Sequence, residues 1–175
     1  MKSLIICPGL SLNNFDKAKL SNYDYLIGVN RGCNYTTVDY ASIGNPFNVL
    51  KVDWTKYKVP PALIMLRHAW YELVDDWLGP DHNRVWICTE EFELYGMKHT
   101  KSFMSSLIMA VLFSLNNESK NVDIIGCDFD HTSQEDFDGY ISRINKLDRN
   151  EKSFTKFKNR LNIINANTDS IIRRI

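Results

Sequence analysis

The chain has 175 residues, 44% of them hydrophobic, with nine Phe, eight Tyr and four Trp. That is enough to bury one sizeable core, and the expected organisation is a single nucleotide-binding α/β domain over residues 1–175. Lys plus Arg, at 21, balances Asp plus Glu, at 21, so no net field favours nucleic acid, an anionic membrane surface or a polycation.

Ser3-Leu4-Ile5-Ile6-Cys7 is a short apolar run stopped by Pro8-Gly9, and Tyr25-Leu26-Ile27-Gly28-Val29 is another stopped by Asn30-Arg31-Gly32. Runs of this length bounded by Gly, Pro and Asn predict strands buried on both faces. Further strands are expected over Val38–Ile43, Ala62–Leu66, Arg84–Cys88, Val122–Ile125 and Leu161–Ile164, about seven in all. A helix beginning near His68, with Trp70, Leu73, Val74 and Trp77 on one face, should stop at Gly79-Pro80. The clearest helical spacing runs from Ser102 to Leu115, where Met104, Leu107, Ile108, Val111 and Leu115 recur three or four apart. Ser170 to Ile175 is expected to form a short closing helix. Strands alternating with helices predict an α/β fold of three layers, with a mainly parallel sheet and right-handed crossovers. No repeat, low-complexity tract or linker divides the chain.

The opening Met1 to Pro8 carries an apolar run too short for a signal peptide or a membrane span, so the expected location is cytoplasmic. Cys7, Cys33, Cys88 and Cys127 show no metal-ligand spacing and are expected to be reduced, small, buried or semi-buried side chains. In that compartment the sequons at Asn34 and Asn117 have no glycosylating machinery to meet. The cluster Lys146, Arg149, Lys152, Lys156, Lys158 and Arg160 is interrupted by Asp148 and Glu151, which reads as a solvated helix face.

In an open parallel sheet, ligands bind outside the carboxyl ends of the strands, where the strand order reverses. The residues after each strand are therefore the candidates. Gly9 and Ser11 follow the first strand, and there Gly9 permits close approach of the backbone while Ser11 supplies a hydroxyl and an amide. Asn30 ends the second strand with a side chain that both donates and accepts, and Asn45 follows the third. Each is equally ordinary turn chemistry. Thr100, Lys101 and Ser102 place hydroxyls and a cation at a positive helix end, a composition that suits a phosphate and that helix capping also explains. Gly126 and Asp128 end the sixth strand, ahead of Asp130 and His131. G-x-G-x-x-G, the P-loop, the G-x-S-x-G elbow and H-E-x-x-H are all absent. Asp128-Phe129-Asp130 leaves a D-x-D reading ambiguous, and the expectation is no metal and no resident cofactor.

In this order the motifs resemble those of bacterial sialyltransferases of glycosyltransferase family 42 and the related motility-accessory-factor proteins. Pro8-Gly9-Leu10-Ser11-Leu12 resembles a G-x-G-P-S-L turn, Asn45-Pro46 an N-P pair, and Thr100 to Ser102 a T-S-G helix start. Gly126-Cys127-Asp128-Phe129 resembles G-x-D-F, and Asn165 to Ser170 resembles an N-x-x-P-x-S close. The resemblance implies a metal-independent, Rossmann-like domain that holds a nucleotide-sugar donor, CMP-linked in the family, with Gly9, Ser11, Asn30, Asn45, Thr100, Ser102, Gly126 and Asp128 lining its crevice. Pro8, Lys101 and Thr168 depart from the family pattern. The family's general-base His has no counterpart in Arg149-Asn150-Glu151-Lys152-Ser153. Proton abstraction then falls to His131 or Asp130, with Lys101 assisting at the departing phosphate.

The expected function is a nucleotide-sugar-dependent, metal-independent glycosyltransferase-like protein. The alternatives are a non-catalytic protein that binds or sequesters a nucleotide or nucleotide-sugar, and a nucleotide-cleaving hydrolase. The expected partner is the small molecule, with no clear nucleic-acid or membrane-spanning signal and a homo-oligomer left open.

Overall fold

A computed structural model describes residues 1–44, 46–66, 83–87, 93–96, 106–127 and 159–175. Its centre is a sheet of seven strands: β1 (Lys2–Ile6), β2 (Tyr25–Val29), β3 (Tyr40–Ser42), β4 (Ala62–Leu66), β5 (Arg84–Ile87), β6 (Asn121–Ile125) and β7 (Ile171–Arg174). Their spatial order is β5-β4-β3-β2-β1-β6-β7, and every neighbouring pair is parallel. The fold is therefore α/β and Rossmann-like, with a sheet wholly rather than mainly parallel.

The two faces of the sheet bury separate clusters, because successive side chains on a strand alternate between them. Leu4, Ile6, Ala41, Leu63 and Ile125 face one way, under Leu12, Cys33, Val38, Val49 and Val52 from the links joining β1 to β4. Ile5, Ile27, Ile64, Val122 and Ile124 face the other, under helix α1 (Ser106–Asn116) and Ile164 of the helical residues 159–166. From β1 to β5 the chain steps outward in one direction; from β6 to β7 it steps the opposite way, with its helical cover on the opposite face. Reversing direction and face together keeps these crossovers of one hand.

The links from β1 to β4 depart from the long helices that a parallel sheet leads one to expect. They are 3-10 turns at Leu10–Asn14, Lys17–Asn22, Asn30–Asn34, Pro46–Lys51 and Trp54–Lys56. Each turn is too short to form an apolar stripe, so the cover comes from single residues reinforced by aromatic ones. Tyr57 donates to the Cys33 carbonyl at 2.7 Å, and Trp54 Nε1 donates to the Val49 carbonyl at 2.9 Å.

Helix α1 is buried along its length from Ser106 to Leu115, so it is an interior helix rather than an amphipathic one. Phe113 packs on the β2 and β3 tyrosines, 6.2 Å from Tyr25 and 4.5 Å from Tyr40 between ring centroids. The Tyr25 hydroxyl lies 2.7 Å from Ser119 Oγ, which keeps its polar tip satisfied.

Two sequence expectations are overturned, and they exchange places. Leu161–Ile164, expected as the last strand, lies within the helical residues 159–166, with Ile164 buried and Ile163 exposed as a helix requires. Ser170–Ile175, expected as the closing helix, instead contains β7, in which only Ile172 turns into the core. Strand boundaries also shift: β1 starts at Lys2 and stops at Ile6, and β3 is shorter than Val38–Ile43. Cys7, Cys33 and Cys127 are buried free thiols, as expected. Cys88 and the helix expected near His68 lie outside the described residues.

Strand β7 is held to the sheet by a buried carboxylate. Asp123, in mid-β6 and 1% exposed, accepts from Arg173 of β7 and from the Tyr23 hydroxyl at 2.8 Å, and pairs with Lys2 of β1 at 3.4 Å. Burial opposes its ionisation, but the hydrogen bonds from Arg173, Tyr23 and Lys2 outweigh this and hold its carboxyl below the ordinary range. Burial and the adjacent carboxylate push the Tyr23 phenol upward.

Asp123→Ala is expected to lower unfolding stability by roughly 2–4 kcal/mol in urea denaturation, because a buried ionic hub loses its acceptor. For the wild type, a carboxyl with a depressed folded-state pKa gives stability that is present above the ordinary Asp value of 3.8 and lost as pH falls through it toward the lower folded value. Urea midpoints measured from pH 6 to pH 2 should fall in that window, and the fall should be smaller in Asp123→Ala.

Candidate functional site

The strand order reverses between β1 and β6, so the position at which an open parallel sheet takes a ligand lies outside their carboxyl ends. Beyond the last paired residues the two chains stay joined: Cys7 donates to the Ile125 carbonyl at 2.9 Å, and Gly9 to the Gly126 carbonyl at 2.8 Å. Gly126 has φ of +65°, and a Cβ there would overlap the Cys7 carbonyl and crowd Leu12. Only glycine meets both demands. The turn after β2 is seated in a similar way, since a Cβ on Gly32 would overlap the Ile6 carbonyl at the end of β1. The Gly9 backbone is ordinary and extended, with φ of −82°.

Ser11 lies in the first 3-10 turn and is exposed. Asn30 stands at the head of the turn after β2 with φ of 51°, a left-handed conformation that Asn tolerates better than most side chains. Its Oδ1 accepts from Ser106 Oγ at 3.1 Å. The same Ser106 Oγ accepts from the Gly44 amide at 2.7 Å, and the Ser106 carbonyl accepts from Ser42 Oγ at 2.6 Å. One buried hydroxyl of α1 thus joins the ends of β2 and β3. Sequence reasoning missed Ser106 and Ser42; a serine at the end of a predicted buried strand was the available signal for Ser42.

Two arginines follow strand ends on this side of the sheet. Arg31 follows Asn30 in the turn after β2, and Arg174, at the end of β7, donates through Nη1 to the Cys127 carbonyl at 3.2 Å. Arg174 was also missed, because its segment was expected to be helical. Cys33, in the turn after β2, is fully buried and its thiol is pushed up to about 12, chiefly by burial. A thiol so protonated at neutral pH is packing and not a nucleophile.

Of the residues proposed from sequence, Gly9 and Gly126 are brought into direct contact, and Asn30 lies at the end of the strand next to β1. Asn45, Thr100, Lys101, Ser102, Asp128, Asp130 and His131 lie outside the described residues. Among the described residues, no group of three or more His, Cys, Asp or Glu is placed to hold a metal ion, and no helix is long and apolar enough to cross a membrane. No protein-family model, curated protein or solved structure matches the chain.

Gly126→Ala is expected to cost roughly 2–4 kcal/mol in urea denaturation, from a strained φ together with backbone overlap. A cost under about 0.5 kcal/mol, the range of a neutral surface change, would mean that the seam yields without strain.

Proposed function

We propose that the chain binds a nucleotide-sugar outside the carboxyl ends of β1, β2 and β6 and acts as a glycosyltransferase-like protein. The observation that carries this reading is the reversal of strand order between β1 and β6, with Gly9, Asn30 and Gly126 gathered at the strand ends beside it. Backbone seated this closely and a carboxamide suit the hydroxyls and phosphate of a nucleotide. The sugar-transfer part of the proposal rests on the resemblance of the ordered motifs.

In the proposed reaction an acceptor hydroxyl attacks the anomeric carbon and the nucleotide leaves with the bonding electron pair. Thr100, Lys101 and Ser102 would neutralise the departing phosphate, and His131 or Asp130 would take the acceptor proton. Asn45 and Asp128 complete the proposed donor contacts. Transfer needs no oxidant or reductant.

Calorimetric titration with cytidine, uridine, adenosine and guanosine mono- and diphosphates should find at least one that binds with Kd between roughly 1 µM and 1 mM, the common range for enzyme substrates. Silence from all of them overturns the nucleotide reading. The nucleotide-sugar corresponding to the nucleotide that binds should release free nucleotide faster when a sugar acceptor is added, and His131→Ala should slow that release by about a hundredfold. Binding without acceptor-stimulated release would reduce the protein to a nucleotide-capturing module, and release independent of acceptor would make it a hydrolase.

A further inference from the structure

Among the described residues the hydrogen bonds around Ser106 are met by one arrangement of protons. The Gly44 backbone N–H can only donate, so at 2.7 Å it occupies Ser106 Oγ as an acceptor. The hydroxyl oxygen keeps a second lone pair, but among the described residues the acceptor that its single proton reaches is Asn30 Oδ1, 3.1 Å away. The Asn30 carboxamide is thereby oriented: its oxygen belongs to Ser106, and its NH2 is the half left over. Among the described residues that NH2 has no hydrogen-bond partner. Ser106 is 7% exposed and its carbonyl accepts from Ser42, which ties this part of the helix to β3. Asn30 is itself constrained by its left-handed backbone, with φ of 51°.

We infer that Ser106 is a positioning residue that presents Asn30 at the strand-end crevice as a hydrogen-bond donor, so that this position selects a ligand atom with a lone pair. A phosphate oxygen, a ribose oxygen and a base carbonyl fit that description, whereas a group that can only donate is rejected. The inference rests on the nucleotide reading of the crevice, but its first half concerns only the protein. A carboxamide free to turn over would offer either edge to a ligand. One fixed by a buried hydroxyl discriminates, because the wrong ligand leaves a polar group unpaired.

The orientation is tested without ligand by amide hydrogen exchange and proton chemical shifts in the full chain. Ser106→Ala should speed exchange of the Gly44 amide and shift the Asn30 side-chain NH2 resonances, and Ser106→Thr, which keeps the hydroxyl, should restore both. The consequence is tested with Asn30→Asp, which keeps the acceptor for Ser106 and a residue that tolerates positive φ, while replacing the presented donor with an acceptor. With the tightest binder among cytidine, uridine, adenosine and guanosine monophosphates as probe, Asn30→Asp should bind roughly tenfold or more weakly, with its Gly44 exchange unchanged. Ser106→Ala should weaken the same binding about threefold or more, and Ser106→Thr should restore it.

Unchanged Gly44 exchange in Ser106→Ala overturns the proposed orientation. Wild-type affinity in Asn30→Asp overturns the presented donor while leaving the nucleotide reading intact. If no nucleotide binds the wild type, the nucleotide reading falls, and the selection of an acceptor falls with it.

Discussion

The parallel seam between β1 and β6 is the constraint on which the rest of the structure depends. It pairs Lys2 with Asn121 through to Ile6 with Ile125, and so brings the first strand of the chain against one that begins more than a hundred residues later. Past the last pair it continues as the Cys7 and Gly9 hydrogen bonds to the Ile125 and Gly126 carbonyls. On one sheet face Asp123 ties the same seam to Lys2, Tyr23 and Arg173, so that β7 is attached through the strand that makes the crevice. The seam also marks the reversal of strand order, and with it the change of the covering layer from 3-10 turns to helices. Long-range pairing of this kind is costly to close and cooperative once closed.

The interior strands were legible because burial on both faces turns a parallel strand into a continuous apolar run. β1, β2 and β4 have that character, β6 keeps it on either side of Asp123, and the expected bounds of all four lie within a residue of the observed ones. Edge strand β7 was not legible. Ile171-Ile172-Arg173-Arg174 buries one side chain, and its identity as a strand depends on Asp123 receiving Arg173, a partner fifty positions away in sequence. Leu161–Ile164 has the apolar content of a strand in a segment too short for its period to decide, and the burial of Ile164 beside an exposed Ile163 is a helical arrangement that only packing reveals. The 3-10 links escaped notice because each inserts isolated residues, such as Leu12 or Cys33, instead of a repeating stripe.

The candidate site divides in the same way. Residues whose signal is local, a glycine after a strand or an asparagine at its end, could be picked out by position, and Gly9, Asn30 and Gly126 do stand at the reversal of strand order. The structure gives Gly126 a packing reason that the sequence could not show, namely its positive φ against the end of β1. Ser106 had no local signal, being a small residue in an apolar helix. Its hydroxyl matters through Gly44 and Asn30, which lie 62 and 76 positions away in sequence. The proposed site thus combines strand ends fixed by the sheet with an orienting contact from the helix above it.

The most direct test of this account is to map which backbone amides respond to a nucleotide. Nuclear magnetic resonance spectra of the full chain, recorded while cytidine, uridine, adenosine and guanosine monophosphates are added in turn, should show the largest perturbations at Gly9, Asn30, Gly44 and Gly126, around the carboxyl ends of the strands. Perturbations confined to the amino ends of the strands, at Asp24, Asp39 and Lys120, or none with any of the nucleotides, would contradict it.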